Sequence, residues 1–219
     1  MSAKPLRVGL AGLGTVGGGT WAVLARNAEE IRRRAGRSIA ITAVADLDAA
    51  KAQALTKGSA RFTADAMALA KDAEIDVVIE LIGGYGFAKE FVLEAIRQGK
   101  HVVTANKALL AIHGNEIFAA AQAKGVMVAY EAAVAGGIPI IKALREGLTA
   151  NKIEWIAGII NGTTNFILSE MRDKGLAFSE VLKEAQRLGY AEADPTFDIE
   201  GIDAAHKATI MASIAFGIP

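Results

Sequence analysis

Leu6 to Gly17 reads LRVGLAGLGTVG, an apolar run passing straight into the spacing Gly12-x-Gly14-x-x-Gly17. That pattern asks for a strand, a tight turn and a helix in succession. The first glycine allows the turn, the second lets backbone approach a pyrophosphate, and the third lets helix and strand pack closely. Phosphates would sit at the N-terminus of a helix beginning near Thr15, where free N–H groups and the helix dipole favour negative charge. A bare GxGxxG is a weak signal, but here the strand before it and the helix after it are both present. Gly12, Leu13, Gly14, Thr15, Val16 and Gly17 are therefore the candidate cofactor-binding turn.

Hydrophobic patterning extends this start. Apolar β-type runs at 7–11, 39–45, 76–81, 101–104 and 126–130 alternate with helical patterns at 15–34, 47–57, 87–98 and 114–124. Strand and helix repeated this way predict an α/β fold, a Rossmann-type doubly wound parallel sheet covered on both faces, over residues 1–130. After Tyr130 comes the glycine-rich EAAVAGGIPI, a helix to about Leu148, a strand at 152–160 and mostly helix thereafter. Residues 131–219 are expected to form part of a second, α+β domain, incomplete at its C-terminus because an apolar helix runs up to Pro219. Trp21 and Trp155 are expected in the core.

Asp46 ends the second strand, where a carboxylate usually accepts a bond from the adenosine ribose 2′-hydroxyl, and this leans towards NAD over NADP. The plainer alternative makes Asp46 or Asp48 the cap of the next helix. Lys plus Arg and Asp plus Glu number 24 each, so no global field draws the chain to nucleic acid or to an anionic membrane. The run Arg32-Arg33-Arg34 suits a helix end better than a nuclear signal. With no cysteine, disulfides, thiolate metal sites and thioester chemistry are excluded. There is no signal-peptide core and no stretch near the ~20 apolar residues of a membrane helix, so a cytoplasmic location is expected. His101, His113 and His206 are scattered and are expected to be structural, with His113 in a loop.

The second half carries four strings: Thr104-Ala105-Asn106-Lys107, EAAVAGGIPII from Glu131, GIINGTTNFIL from Gly158 and LGYAEADPTFDIEGIDAAHK from Leu188. In that order, behind the dinucleotide turn, they resemble homoserine dehydrogenase across the whole chain. The resemblance implies reversible reduction of L-aspartate 4-semialdehyde to L-homoserine with NAD(P)H, in threonine and methionine biosynthesis. It also implies that the second domain serves substrate binding and dimerisation, with a homodimer in the full-length protein. Aspartate semialdehyde dehydrogenase uses a related fold and the same aldehyde but needs a thiol, which this chain lacks. The alternative is a truncated, catalytically incomplete NAD(P)-binding fragment, since the family's further elements would lie beyond Pro219.

Hydride transfer leaves charge on a carbonyl oxygen, so a cationic proton donor is needed beside it, and lysine supplies both charge and proton. Lys107 follows a strand end near Thr104 and Asn106, on the edge where open α/β sheets bind ligands. Lys207 lies four residues after Asp203 on a helical pattern, so the carboxylate can hold the ammonium. The resemblance makes Lys207 the general acid/base and Lys107 a second substrate-contacting lysine with a share in proton transfer, with Asp203 beside them as catalytic and Thr104 and Lys107 also facing cofactor. Taken alone, Lys207 and Asp203 would be a solvated helix salt bridge.

An amino-acid substrate carries an ammonium group that calls for carboxylates. Glu192, Asp194, Asp198, Glu200 and Asp203 crowd together around Pro195, and the resemblance assigns Glu192, Asp203 and, more weakly, Asp198 to substrate. An acidic, solvated helix start explains Asp194 and Glu200 equally well. Gly162 and Thr163 open a helix and form a plausible carboxylate-binding turn, while Thr163 or Thr164 could instead cap that helix. Glu131 with the backbone of Val134, Gly136 and Ile138 corresponds to a monovalent-cation site, Na+, described for the family. Hard cations take oxygen ligands, and a hinge between domains is the competing reading.

Overall fold

The computed structural model describes residues 4–219 and falls into two compact units, Met1–Ala133 and Val134–Pro219. The first holds six parallel strands: β1 (Leu6–Ala11), β2 (Ile39–Ala45), β3 (Arg61–Thr63), β4 (Val77–Glu80), β5 (His101–Thr104) and β6 (Val128–Ala129). Their spatial order is β3-β2-β1-β4-β5-β6. The chain winds outward one way from β1 and the other way from β4, so the order reverses between these two strands. In such sheets the ligand crevice opens there, beyond the carboxyl ends of the strands. Val8, Leu10, Val44, Val78 and Val102 are buried along the sheet, as expected where helices cover both faces.

The covering helices are α1 (Thr15–Arg26), α2 (Ala28–Ala35), α3 (Ala49–Thr56), α4 (Ala66–Lys71), α5 (Gly86–Arg97) and α6 (Lys107–Lys124). The elements depart from the sequence expectation in three places. The single helix expected at 15–34 is broken at Asn27, whose φ of −103° and ψ of 17° leave the helical region. β3 and α4 were not anticipated: β3 is a short, mostly exposed edge strand without an apolar run, and α4 is brief and capped by Asp65. Finally, α6 begins at Lys107 rather than Gly114, so His113 lies inside a helix and not in a loop. Burial of Leu109 and Leu110 and the cap at Asn106 outweigh the weak helix propensity of His113 and Gly114.

The second unit contains α7 (Ile140–Lys142), a wide π turn (Ala143–Gly147), α8 (Gly162–Lys174), α9 (Phe178–Arg187), α10 (Thr196–Ile199) and α11 (Ile202–Phe216). Ile167, Val181, Ala185 and Ala191 form a buried apolar cluster in it. The strand expected at 152–160 is not formed, although its residues have β-type character. A strand needs a neighbour to pair with, and no strand occurs among the described residues of this unit. Trp155 is accordingly 74% exposed and not a core residue, whereas Trp21 packs against the cluster beneath β1. No helix among the described residues is long and apolar enough to cross a membrane.

Candidate active site

The opening glycines divide their work in the way the motif requires. Gly12 has φ +90°, and a Cβ there would stand 2.4 Å from the Leu81 carbonyl oxygen, so the turn lies directly on the end of β4. A Cβ on Gly17 would be 1.9 Å from the Gly12 oxygen, which fixes the close approach of α1 to the strand. Around Gly14 there is no atom within 4 Å of such a position. The N-terminus of α1 has no side-chain cap and no acidic residue in its first turn. Open backbone, amides and a positive dipole end are what a pyrophosphate needs.

Asp46 reaches back to this turn. Its Oδ2 accepts the Leu13 N–H at 2.6 Å and its Oδ1 the Asp48 N–H at 2.9 Å, while Asp48, not Asp46, caps α3. Burial pushes the Asp46 carboxyl up, but the Asp48 and Leu13 amides and the charge of Lys51 outweigh it and hold the group below its ordinary value. A cleft of ≈ 700 Å³ is lined by Gly12, Gly14, Asp46, Lys51, Asp65 and Ile82 among others. The residues present thus fit a dinucleotide.

On the other side of the switch point, Thr104 ends β5 and Lys107 is the first residue of α6. Asn106 caps that helix by accepting the Leu109 N–H. The Thr104 hydroxyl donates to the carboxylate of Glu80, a fully buried residue.

In the second unit, Lys207 on α11 donates to Asp203 Oδ2 and to the carbonyl of Ile160, both at 2.6 Å. The two side chains are only 18% and 10% exposed, so this is not a solvated helix pair. Asn161 completes the cluster. Its Nδ2 donates to Asp198 Oδ1 at 2.8 Å and to Asp203 Oδ2 at 2.9 Å, and its Oδ1 accepts the Thr164 N–H and hydroxyl. Asn161, rather than Thr163 or Thr164, therefore caps α8. The Thr163 hydroxyl is turned inward to the Tyr190 carbonyl, which leaves Gly162 as the open position of that turn. Glu192 is exposed, and Asp194 accepts the Thr196 N–H and hydroxyl at the start of α10.

Two family models match the chain: "Homoserine dehydrogenase, NAD binding domain" over residues 12–131 and "Homoserine dehydrogenase" over residues 139–219. The chain belongs to the homoserine dehydrogenase family. A homoserine dehydrogenase of Pseudomonas aeruginosa is 68% identical over 99% of the chain and 49% of its own length. The crystal structure of one from Thiobacillus denitrificans superposes with a TM-score of 0.94 at 72% identity, covering 99% of this chain and 50% of that one. A hyperthermophilic archaeal homoserine dehydrogenase in complex with NADPH has a TM-score of 0.84 at 27% identity, covering 99% and 71%. The chain spans about half the length of the curated relatives it matches.

Lys107 belongs to the first unit of this family member and Lys207 to the second. The expected cation ligands divide likewise: Glu131 opens a 3₁₀ turn of the first unit, and Val134, Gly136 and Ile138 belong to the second. Ala135 and Gly136 both take positive φ, 58° and 54°, so the glycine-rich stretch is a sharp turn. Two residues escaped the sequence reading. Glu80 stood in an otherwise apolar strand, and a lone charge in such a run is itself a signal. Asn161 precedes a helix start, the position asparagine favours as a cap.

Proposed function

We propose that this chain is the dinucleotide-binding and partial substrate portion of an enzyme interconverting L-homoserine and L-aspartate 4-semialdehyde, in threonine and methionine biosynthesis. The observation that carries the reading is the Lys207 ammonium, half-buried and held by Asp203 and the Ile160 carbonyl, with Asn161 linking Asp203 to a second carboxylate, Asp198. A bound NAD(P) supplies or accepts the hydride, and Gly12 to Gly17 with Asp46 would hold it. Lys207 would give a proton to the carbonyl oxygen as it becomes a hydroxyl, and take it back in the oxidative direction. Asp203 keeps the ammonium oriented. Lys107 would be a second lysine contacting substrate, with a share in proton transfer, and Thr104 would face the cofactor. Glu192, Asp198 and Asp203 would meet the substrate ammonium, and the backbone N–H groups of Gly162 and Thr163 its carboxylate.

The same reading prefers NAD through Asp46, places the protein in the cytoplasm, and makes the full-length protein a homodimer. It also offers Glu131 and the backbone oxygens of Val134, Gly136 and Ile138 to a sodium ion. A second reading, dinucleotide binding without turnover, is favoured by the exposed Trp155 and Ile159 in a segment with no pairing partner. Homoserine-dependent reduction of NAD and NADP, run beside a fluorescence titration with NADH and NADPH, separates the two. Binding with turnover supports the enzyme, binding alone supports the second reading, and neither would refute both.

A further inference from the structure

Glu80 is 0% exposed at the end of β4, yet its hydrogen-bond donors are two amides and a hydroxyl, all neutral. A buried carboxylate is expensive unless its acceptors are used, and an apolar side chain would suit a covered strand better. Here the acceptors are used in a particular way. Oε1 takes the N–H of Ile82 at 2.8 Å and of Gly83 at 3.2 Å, and Oε2 takes the Thr104 hydroxyl at 2.7 Å. The Thr104 hydroxyl donates its hydrogen in the last bond while its oxygen accepts the Asn106 N–H at 2.9 Å. Asn106 in turn donates to the Gly84 carbonyl and caps α6, whose first residue is Lys107.

These bonds close a circuit between the turns that follow two adjacent strands. One turn, 82–84, is conformationally loose by composition, with Gly83 and Gly84 at φ +83° and +66°. It also forms a wall of the cofactor cleft: Ile82 lines it, and the Gly12 turn lies on the peptide joining Leu81 to Ile82. The other turn presents Thr104 and Lys107.

We propose that Glu80 is a positioning residue that fixes the 82–84 turn and the N-terminus of α6 relative to each other, so that cofactor wall and Lys107 are set as one unit. Its functional half rests on the cofactor reading above. Its structural half does not.

Hydrogen exchange on the purified chain without cofactor tests the coupling directly, comparing wild type with Glu80→Ala and Glu80→Gln. In Glu80→Ala, amides of 82–84 and of 106–109 should both exchange faster. In Glu80→Gln the amide oxygen still accepts from Ile82 and Gly83, while the NH2 facing Thr104 can keep that bond only with its direction reversed, so the gain should be smaller and fall mainly on 106–109. NADH titration well below the unfolding transition should show affinity reduced about tenfold or more in Glu80→Ala and partly restored in Glu80→Gln. A merely structural carboxylate would lower the melting temperature and leave the affinity of the folded protein unchanged, and that result overturns the proposal. Should Glu80→Ala not fold, Thr104→Val removes the same link from the other side, and unchanged exchange at both 82–84 and 106–109 in that variant overturns it equally. A wild-type chain that binds no dinucleotide yet shows the coupled exchange supports the positioning role and sinks the cofactor reading instead.

Discussion

Asn161 directs one amide hydrogen to Asp203, 2.9 Å away, and the other to Asp198 at 2.8 Å, while its oxygen caps α8 through Thr164. All of its hydrogen-bonding capacity is consumed in joining α8, α10 and α11. Replacing it therefore has two separable effects. Asn161→Ala should cost about 1 kcal/mol of stability through the lost cap. It should also lower homoserine turnover by roughly ten- to a hundredfold, because Asp198 and Asp203 lose their shared donor. Asn161→Asp keeps the cap but sets a third carboxylate against the other two in a buried site, so it should lose activity and, at neutral pH, lose stability through repulsion rather than through the cap. Thermal unfolding and steady-state kinetics on the full-length protein check the pair, and an active Asn161→Asp would detach Asn161 from the site.

Lys207 should behave as a chemical rather than a binding residue. Lys207→Ala is expected to lower kcat by about 10²- to 10⁴-fold, the range for general acid/base groups, with NADH affinity unaltered. Near-normal turnover in this variant would remove Lys207 from proton transfer.

The glycines of the first turn offer a contrast between fold and ligand. A methyl at Gly17 would stand 1.9 Å from the Gly12 oxygen, so Gly17→Ala should cost about 3 kcal/mol or more, or prevent folding. Gly14 has φ −61° and nothing within 4 Å of the missing Cβ, so Gly14→Ala should melt like wild type. Its defect should appear in dinucleotide titration, where the methyl occupies the approach of the pyrophosphate. Equal affinity in Gly14→Ala would argue that phosphates do not lie on this turn.

Asp46 faces the same cleft with its oxygens accepting from backbone amides of Leu13, Leu47 and Asp48, and a carboxylate's roughly four acceptor sites leave room for a ribose hydroxyl. Asp46→Ala should weaken NADH binding by about tenfold and NADPH binding less, shifting the ratio of the two affinities. An unchanged ratio would take Asp46 out of cofactor selection.

Much of the first unit was legible because its signals are local. The apolar strands, the glycine spacing and the Asp46 position follow from neighbouring residues alone. β3 and α4 were not, since a three-residue edge strand has no period to detect and α4 is held by a cap at Asp65. The segment at 152–160 shows the opposite failure: alternating Ile153, Trp155 and their neighbours carry a strand-like pattern, but pairing is a property of a partner and not of the segment. Within the site, Lys207 and Asp203 were visible as an i, i+4 pair, whereas Asn161 acts across 37 and 42 residues of sequence on Asp198 and Asp203. Glu80 acts across 24 on Thr104. Neither span leaves a periodic trace.

Acid stability should depend on an ion pair at the far end of the sheet. Asp76, just before β4, accepts hydrogen bonds from the Arg7 guanidinium and from the Arg7 backbone N–H. The guanidinium bonds, opposed by desolvation and aided by the Arg7 amide and charge, lower its carboxyl from an ordinary 3.8 to about 2. Because the folded group is more acidic than the unfolded one, its stabilisation is complete above about pH 4 and disappears as pH falls through about 2. Both side chains keep contact with water, 42% and 34% exposed, so screening makes the contribution modest and sensitive to salt. Asp76→Asn should therefore lower stability at neutral pH and flatten the loss between pH 4 and pH 2 relative to wild type. Urea unfolding across that range measures the difference, and parallel curves for the two proteins would show that the Arg7 to Asp76 pair contributes nothing linked to pH.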